Sequence, residues 1–298
     1  MQTSIFLPIG VFFLIGAIFI LLGGFFVKSR ETVREIWHLY FIETLIVGFV
    51  VVPAYLGSLP FLLAVALIGI KSQHEILQQL LPGCNLRYKQ VVYAVCPLIC
   101  AAALFAGEML MYRIQLAVVL ILLLMGIGTN SGRMLMAELA KLVFITIFPC
   151  LFIAYLLLLR RLDHGFSLVV FLYGVAEIND SFALVSGKLF GRKKIFPHLS
   201  PGKTWAGMFG GITAACLFGL LFHHFVADFS LPFVAAGTLL VILTTILGDL
   251  VTSKIKRNLS IKDFGNFVSK HGGVLDTYDS LIFSAPLFYW FAAKFLVV

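Results

Sequence analysis

The sequence predicts an all-α integral membrane protein, a polytopic bundle of about nine or ten transmembrane helices. Three observations predict this class: 61% of the 298 residues are hydrophobic, only 12% are charged, and the mean hydropathy is +1.04. A water-soluble domain of this length needs a more highly charged exterior. No repeat or linker divides the chain, so we expect one continuous membrane domain, with N-terminal helices in residues 1–165 and the candidate site in residues 166–298.

The apolar stretches follow one another along the chain. The first, residues 5–27, predicts a retained span, because no basic residues precede it and no small-residue cleavage motif closes it. An amphipathic stretch containing Lys28, Arg30 and Arg34 then predicts a helix at the cytoplasmic interface that ends near Tyr40. The remaining predicted spans are residues 41–56, 59–70, 91–106, 114–127, 142–159, 167–184, 205–226, 232–247 and 281–298.

Basic residues concentrate in two connecting segments, residues 188–203 and 253–273. The net charge of +8, from 22 Lys and Arg against 14 Asp and Glu, has its simplest source in the positive-inside bias, and so predicts no nucleic-acid partner. Two predicted spans separate the segments, which places both on one side, the cytoplasm. Arg160 and Arg161 are a counter-signal, because they would lie outside unless one neighbouring segment is re-entrant.

Acidic residues are scarce, and they gather where apolar runs end. Asp249 follows one such run, and Asn179 and Asp180 end another. Asp276 and Asp279 are three residues apart, so on a helix entering the last span they would share one face. An intramembrane carboxylate costs roughly 2.5–3.5 kcal/mol at a helix centre and is a functional candidate for that reason. Three spans are therefore expected to present acids at one cytoplasmic interface.

Cations alternate with these acids, since Lys256, Arg257 and Lys262 lie between Asp249 and Asp276. Mg²⁺ typically takes one or two carboxylates plus substrate phosphates, while Lys and Arg neutralise the remaining phosphate charge. The pattern predicts a Mg²⁺-dependent site for phosphoryl or nucleotidyl transfer. Interface charges that only pair with one another are the alternative that the spacing leaves open.

Two turns add phosphate-binding candidates. The His-Gly-Gly turn at residues 271–273 has backbone N–H groups that can approach phosphate closely, although a plain turn also explains it. The segment Ser200–Thr204 lacks the upstream glycine of a P-loop. We interpret it as a helix start, with Ser200 as N-cap and Lys203 reinforcing an anion site at the helix N-terminus.

The order and spacing of these residues form one longer pattern. It begins with Ser-x-x-Lys-Arg at residues 253–257, which is followed after four residues by Lys-Asp at 262–263 and a small residue at 265. It ends with His-Gly-Gly-x-x-Asp at residues 271–276 and a further aspartate at 279. Residues 179–180, 200–205 and 248–250 extend it, so that it covers residues 177–280. The pattern resembles the signature of the phosphatidate cytidylyltransferases, the CDP-diacylglycerol synthases of membrane lipid synthesis.

The resemblance implies a reaction of CTP with phosphatidic acid, or a related anionic lipid phosphate, that gives CDP-diacylglycerol and pyrophosphate with Mg²⁺. It implies Asp249 and Asp276 as metal ligands, with Lys256 and Asp279 completing the catalytic set. The substrate-binding residues that it implies are Asn179, Asp180, Ser200, Lys203, Arg257, Lys262, Asp263, His271, Gly272 and Gly273. The expected partners are CTP and membrane lipids, at a site facing the cytoplasm (in the inner membrane of a bacterium), with a homodimer as a candidate assembly.

The chain departs from the family pattern at three places. Thr277 stands where the family has arginine, Ser269 and Lys270 replace Pro-Gly, and Ala206 replaces a polar residue. Losing an arginine removes a planar bidentate donor that threonine cannot replace, so the lipid substrate is open. Two other functions also stay open: a CTP-dependent lipid kinase of the polyprenol type, which would release CDP, and a non-enzymatic membrane paralogue or transporter of the same fold, whose acids would serve ion passage.

Overall fold

The computed structural model describes residues 6–26, 30–127, 132–197, 199–226, 228–266 and 272–296. Within these ranges the chain forms eleven α-helices, one π-helical turn and one two-stranded hairpin. In chain order the elements are α1 (Phe6–Phe26), α2 (Arg30–Leu56), α3 (Ser58–Leu80), α4 (Leu86–Phe105), α5 (Glu108–Ile127), α6 (Gly132–Ile145), the π turn (Thr146–Leu151), α7 (Phe152–Arg161), α8 (Gly165–Phe190), β1 (Lys194–Phe196), β2 (Ser200–Thr204), α9 (Trp205–Phe225), α10 (Leu231–Asn258) and α11 (Val274–Leu296).

Within the described ranges, seven helical segments are long and apolar enough to cross a membrane, and α6, the π turn and α7 together supply one of them, Met136–Arg161. Shorter apolar stretches lie in α1 and α2. Large side chains such as Leu120, Leu217 and Leu243 are more than half exposed on the outer helix faces, as a hydrocarbon surrounding allows. The predicted all-α polytopic class is therefore confirmed, while the count of nine or ten spans stays a prediction.

The predicted interfacial helix is not a separate element. α2 runs without a break from Arg30 to Leu56 and includes Pro53. Between Arg30 and Tyr40 the sequence contains neither glycine nor proline, so nothing interrupts the helical hydrogen bonds where the composition changes from amphipathic to apolar.

α3 continues well past the end of its apolar run. The predicted span ended at Ile70, yet the helix extends to Leu80 through a polar stretch. Ser72 and Gln73 are fully buried there, and Glu75 is 8% exposed. Hydropathy measures the cost of transfer into lipid, whereas these side chains pack against other helices, so the hydropathy pattern could not show where the helix ends.

α10 and α11 also extend beyond the apolar runs that predicted them. α10 continues past Leu247 to Asn258, so Lys256 and Arg257 lie on its last turn and not in a loop. α11 begins at Val274, ahead of the predicted span at residues 281–298. Lys256, Arg257 and Asp276 are therefore held on helices and not in a long connection.

The segment Ser200–Thr204 is a strand, and the prediction that Ser200 caps a helix is wrong. The strand pairs antiparallel with β1. α9 begins at Trp205 and is capped by Thr204, whose Oγ1 accepts the N–H of Gly207 at 3.1 Å. Serine and threonine are both good N-caps, and the pairing with β1 decides between them, because it keeps the backbone extended as far as Thr204.

Arg160 and Arg161 tie helix ends together. Arg160 donates to the carbonyl of Ala54 near the end of α2 at 3.3 Å, and Arg161 donates to the carbonyl of Ala103 near the end of α4 at 2.9 Å. Cations are favoured at helix C-termini, where carbonyl groups lack helical partners. This bonding gives the two arginines a structural role at these helix ends, while the side of the membrane on which they lie stays a prediction.

α8 packs closely against the helices that carry the candidate site. Its Phe171 ring lies 5.0 Å from Phe222 of α9 and 5.6 Å from Phe288 of α11, measured between ring centroids. α9 approaches so closely that a Cβ at Gly211 would clash with the backbone oxygen of Asn179. Small residues allow such close approach of membrane helices, and the packing brings the polar ends of α8, α10 and α11 together.

Candidate active site

Three carboxylates from three helices meet at these polar ends. Asp180 of α8, Asp249 of α10 and Asp279 of α11 lie close enough for their charges to interact with one another. The sequence placed these acids at one interface, and the structure brings the three helices that carry them together, while the side of the membrane on which they lie stays a prediction. Like charges held together in this way favour a cation between or beside them.

Lys203 supplies a cation to this group. It lies in β2, just before α9, and forms an ion pair with Asp249. The two side chains are 27% and 31% exposed, and the other oxygen of Asp249 accepts the Ser253 hydroxyl at 3.2 Å. A partly exposed ion pair contributes only about 0–1 kcal/mol. A phosphate or a metal ion can therefore replace either partner at little cost.

Lys256 lies among the acids. Its Nζ is 2.8 Å from Oδ1 of Asp276, and it also interacts electrostatically with Asp279 and Asp249. The lysine side chain is 12% exposed, and its Nζ lies 5.7 Å from the ring centroid of Phe264. Lys256 thus links the two predicted metal ligands to the third acid of the catalytic set.

Asp276 is saturated by donors of the protein. Besides the contact with Lys256, its Oδ2 accepts the N–H groups of Phe264 at 2.7 Å and Gly273 at 2.9 Å. The side chain is 3% exposed. As the third residue of α11, it bonds back to the residue before the helix, as the acid of a capping box does. A metal ion at Asp276 would have to displace Lys256.

Asp279 lies one turn further along α11 and is 5% exposed. Its Oδ2 accepts the hydroxyl of Thr252 from α10, and its Oδ1 accepts the N–H of Ser280 at 2.7 Å. Asp276 and Asp279 do share one face of α11, as predicted, but they have different neighbours. Asp279 also interacts electrostatically with Asp249 and Asp180.

Glu75 of α3 was not predicted as part of this region. It is 8% exposed, and its two oxygens accept the N–H groups of Val274 at 2.9 Å and Leu275 at 2.8 Å. Together, Glu75 and Asp276 satisfy backbone donors at the start of α11 that no helical carbonyl can reach. The sequence did show a carboxylate just beyond an apolar run. It did not show the partners of that carboxylate, which lie 199 and 200 residues further along the chain.

The predicted phosphate-binding turn is only partly described. His271 lies outside the described residues. Gly272 has a φ of +88°, which favours glycine, and the N–H of Gly273 is bound to Asp276. A Cβ at Gly273 would also clash with the carboxylate of Glu75. In this structure the two glycines serve the start of α11.

The remaining predicted substrate residues differ in their burial. Asn179 is 4% exposed and donates to Oδ1 of Asp180 at 3.0 Å. Ser200 and Asp263 are half-buried, and Lys262 is exposed.

Arg257 is committed to the backbone. It donates to the carbonyl oxygens of Leu199 and Ile261, each at 3.2 Å. These bonds fix the hairpin against the end of α10, and so help to place Lys203 beside Asp249.

Thr277 bonds within its own helix. Its hydroxyl donates to the carbonyl of Gly273 at 2.9 Å. Ser269 and Lys270, the neighbouring departures from the family pattern, lie outside the described residues, and Ala206 lies in the first turn of α9, one residue after Trp205.

No group of three or more His, Cys, Asp or Glu side chains in the described part of the chain is arranged to hold a metal ion. Mg²⁺, however, is commonly held by one or two carboxylates together with substrate phosphates. Asp249, which is partly exposed, and Asp180, which is exposed, supply the hard oxygen atoms that this mode requires.

The sequence is similar to a known protein family and to several of its members. A family model described as "Cytidylyltransferase family" matches residues 32–295. The chain is 40% identical over 150 residues to a phosphatidate cytidylyltransferase of Aquifex aeolicus, which covers 50% of this chain and 55% of that protein. It is 35% identical over 133 residues to the phosphatidate cytidylyltransferase of Haemophilus influenzae, covering 43% and 46%. The chain spans about half the length of the curated relatives it matches.

Proposed function

Since the chain belongs to the cytidylyltransferase family, we propose that it transfers the cytidylyl group of CTP to phosphatidic acid or a related anionic lipid phosphate. One observation carries this proposal: carboxylates and lysines meet at the ends of membrane helices, where Asp249 pairs with Lys203 and Lys256 lies among three acids. A site that mixes hard oxygen ligands with ammonium groups suits a triphosphate and a lipid phosphate at once.

We propose Asp249 as the principal ligand of Mg²⁺. Together with the exposed Asp180 it offers oxygen atoms that are not saturated by protein donors, whereas Asp276 joins the metal site only if Lys256 moves. Mg²⁺ held there would supply neutralisation of phosphate charge, including that of the pyrophosphate. The partly exposed ammonium group of Lys203 would be available to a phosphate.

The reaction needs positioning more than a strong base. An oxygen of the lipid phosphate attacks the α-phosphorus of CTP, the bond between the α- and β-phosphates breaks, and pyrophosphate leaves. A phosphomonoester has a second pKa of about 6 and is already dianionic near neutral pH. We assign charge neutralisation to Lys203 and Lys256, and orientation of the substrates to the carboxylates and to Asn179.

The roles of the other residues remain proposals. Lys262 is exposed, and we propose that it contacts a substrate phosphate. The assignment of His271 rests on the family resemblance. Glu75 joins α3 to the start of α11, which supports one continuous membrane domain across residues 1–298. The candidate homodimer is a separate proposal that a mass measurement in detergent would test.

One assay separates the three candidate functions. Purified protein with Mg²⁺, phosphatidic acid and CTP labelled at the α-phosphate should transfer label to the lipid and release an equal amount of pyrophosphate. A lipid kinase would leave the label in CDP. A non-enzymatic paralogue would change neither substrate. The similarity to proteins named phosphatidate cytidylyltransferase favours the transferase.

We expect both basic segments to face the cytoplasm, because they are the two richest in lysine and arginine. In a background without the five native cysteines, Lys193→Cys and Lys262→Cys should react with a membrane-impermeant maleimide from the cytoplasmic face of sealed vesicles. Labelling of the two positions from opposite faces would contradict the proposed site.

We expect Thr277→Arg to lower kcat/KM for phosphatidic acid. The substitution removes the hydroxyl bond to Gly273 and adds a cation in the first turn of α11, beside Asp276 and Lys256. An added guanidinium that draws Asp276 away from Lys256 would break their charged hydrogen bond. A loss of that kind, about 1.5–3 kcal/mol, corresponds to roughly tenfold to a hundredfold in rate. A higher kcat/KM would identify a weakened synthase, and an unchanged value for every lipid would show that position 277 does not affect the substrate.

A further inference from the structure

An apolar cavity of about 100 Å³ lies between α1, α2, α8 and α9. Its walls are formed mainly by aliphatic and aromatic side chains, among them Phe12, Val47, Val170 and Phe218. The walls belong to helices with apolar stretches that suit a membrane, so the hydrocarbon of lipids is the material available to fill the cavity.

The cavity and the candidate active site share one wall. Glu177 and Ser181 of α8 line the cavity, and Asp180 lies between them in the sequence. Residues three apart on a helix are neighbours on its surface, so Asp180 lies beside the stripe of α8 that faces the cavity. A molecule whose phosphate reaches Asp180 and Lys203 can therefore extend its apolar part into the cavity.

A buried hydroxyl in the cavity wall points independently to a ligand. Tyr173 lines the cavity, is 2% exposed, and lies beside Glu177. Its hydroxyl faces the carboxyl of Glu177 but has no acceptor at full hydrogen-bond distance in the described part of the chain. Buried hydroxyl groups in native proteins nearly always have a partner, and a phenol can donate to an ester carbonyl. In a phospholipid that carbonyl lies between the polar headgroup and the hydrocarbon chain.

We propose that this cavity binds one acyl chain of the lipid substrate and that Tyr173 donates to its ester carbonyl. The inference rests on the proposed function, because it identifies the substrate's hydrocarbon as the occupant. An acyl chain fits the apolar walls, the position inside the membrane helices and the shared wall with the site, whereas a soluble metabolite fits none of these.

Photocrosslinking tests the binding of the chain without requiring turnover. Phosphatidic acid with a diazirine on one acyl chain should label α2 and α8 at cavity residues, and excess unlabelled phosphatidic acid should compete, while phosphatidylcholine should not. Val47→Trp and Val185→Trp, which fill the cavity from α2 and α8, should each reduce the labelling at least about tenfold, the equivalent of about two displaced methylene groups. Leu217→Trp, on the outer face of α9 and 53% exposed, is the matched control and should label normally.

Equal competition by phosphatidylcholine, or no labelling in the cavity, would overturn the proposal, because the occupant would then be bulk membrane lipid or nothing.

Tyr173→Phe provides a second measurement. It should weaken labelling by the diacyl lipid and leave labelling by its dialkyl ether analogue unchanged, since the ether has no carbonyl. Labelling that unlabelled phosphatidic acid competes away, in a protein that transfers no cytidylyl group, would support the binding site and reject the proposed function. Failure of the binding proposal and failure of the proposed function therefore give different results.

Discussion

Asp249→Asn should reduce cytidylyl transfer by roughly 100-fold to 1,000-fold, the effect of removing one preorganised electrostatic group from a transition state. Asp249 combines three properties: it pairs with Lys203, it interacts with the acids of α8 and α11, and it is 31% exposed. The amide keeps the shape of the side chain and removes the charge that would hold Mg²⁺. The measurement is the initial rate of pyrophosphate release at saturating CTP and lipid.

The same substitution should change stability little, because the ion pair with Lys203 is partly exposed. Asp228→Asn is the matched control. Asp228 bonds to His164 at 3.1 Å near the opposite end of α8, so its loss should leave turnover intact. Near-normal turnover in Asp249→Asn would remove this residue from the site and return the metal assignment to Asp276 or Asp279.

Glu75→Ala should lower the thermal stability of the protein in detergent. The alanine leaves the buried N–H groups of Val274 and Leu275 without acceptors. An unsatisfied buried donor costs about 1–3 kcal/mol, so the two together predict a loss of about 2–6 kcal/mol. Turnover should fall as well, because the start of α11 carries Asp276, which binds Lys256.

Two further variants distinguish bonding from the mere loss of a surface charge. Glu75→Gln keeps one acceptor oxygen and should recover part of the stability. Glu138→Ala removes an exposed acid from α6 and should change stability by less than about 0.5 kcal/mol. An unfolding temperature of Glu75→Ala that equals that of Glu138→Ala would show that the bonds from α3 do not hold the start of α11.

The site was predictable to the extent that its determinants are local in the sequence. Asp180 and Asp249 stood out because each interrupts an apolar run, and the spacing of Asp276 and Asp279 placed both on one helix face. What lies opposite that face was not predictable. Packing against α10 gives Asp276 the ammonium of Lys256 and gives Asp279 the hydroxyl of Thr252, so two acids with the same local pattern have different surroundings.

By itself, then, the sequence determined that the chain crosses a membrane as a helical bundle and that its scarce acids and clustered cations meet, because apolar composition and charge placement act residue by residue. The tertiary structure alone decided that Ser200 begins a strand and that Thr204 caps α9, because the pairing with β1 outweighs the local capping preference. It alone also decided that Glu75 completes the start of α11. Backbone N–H groups at a helix end donate to any acceptor within reach. Which carboxylate is within reach depends on how helices that are distant in the sequence pack.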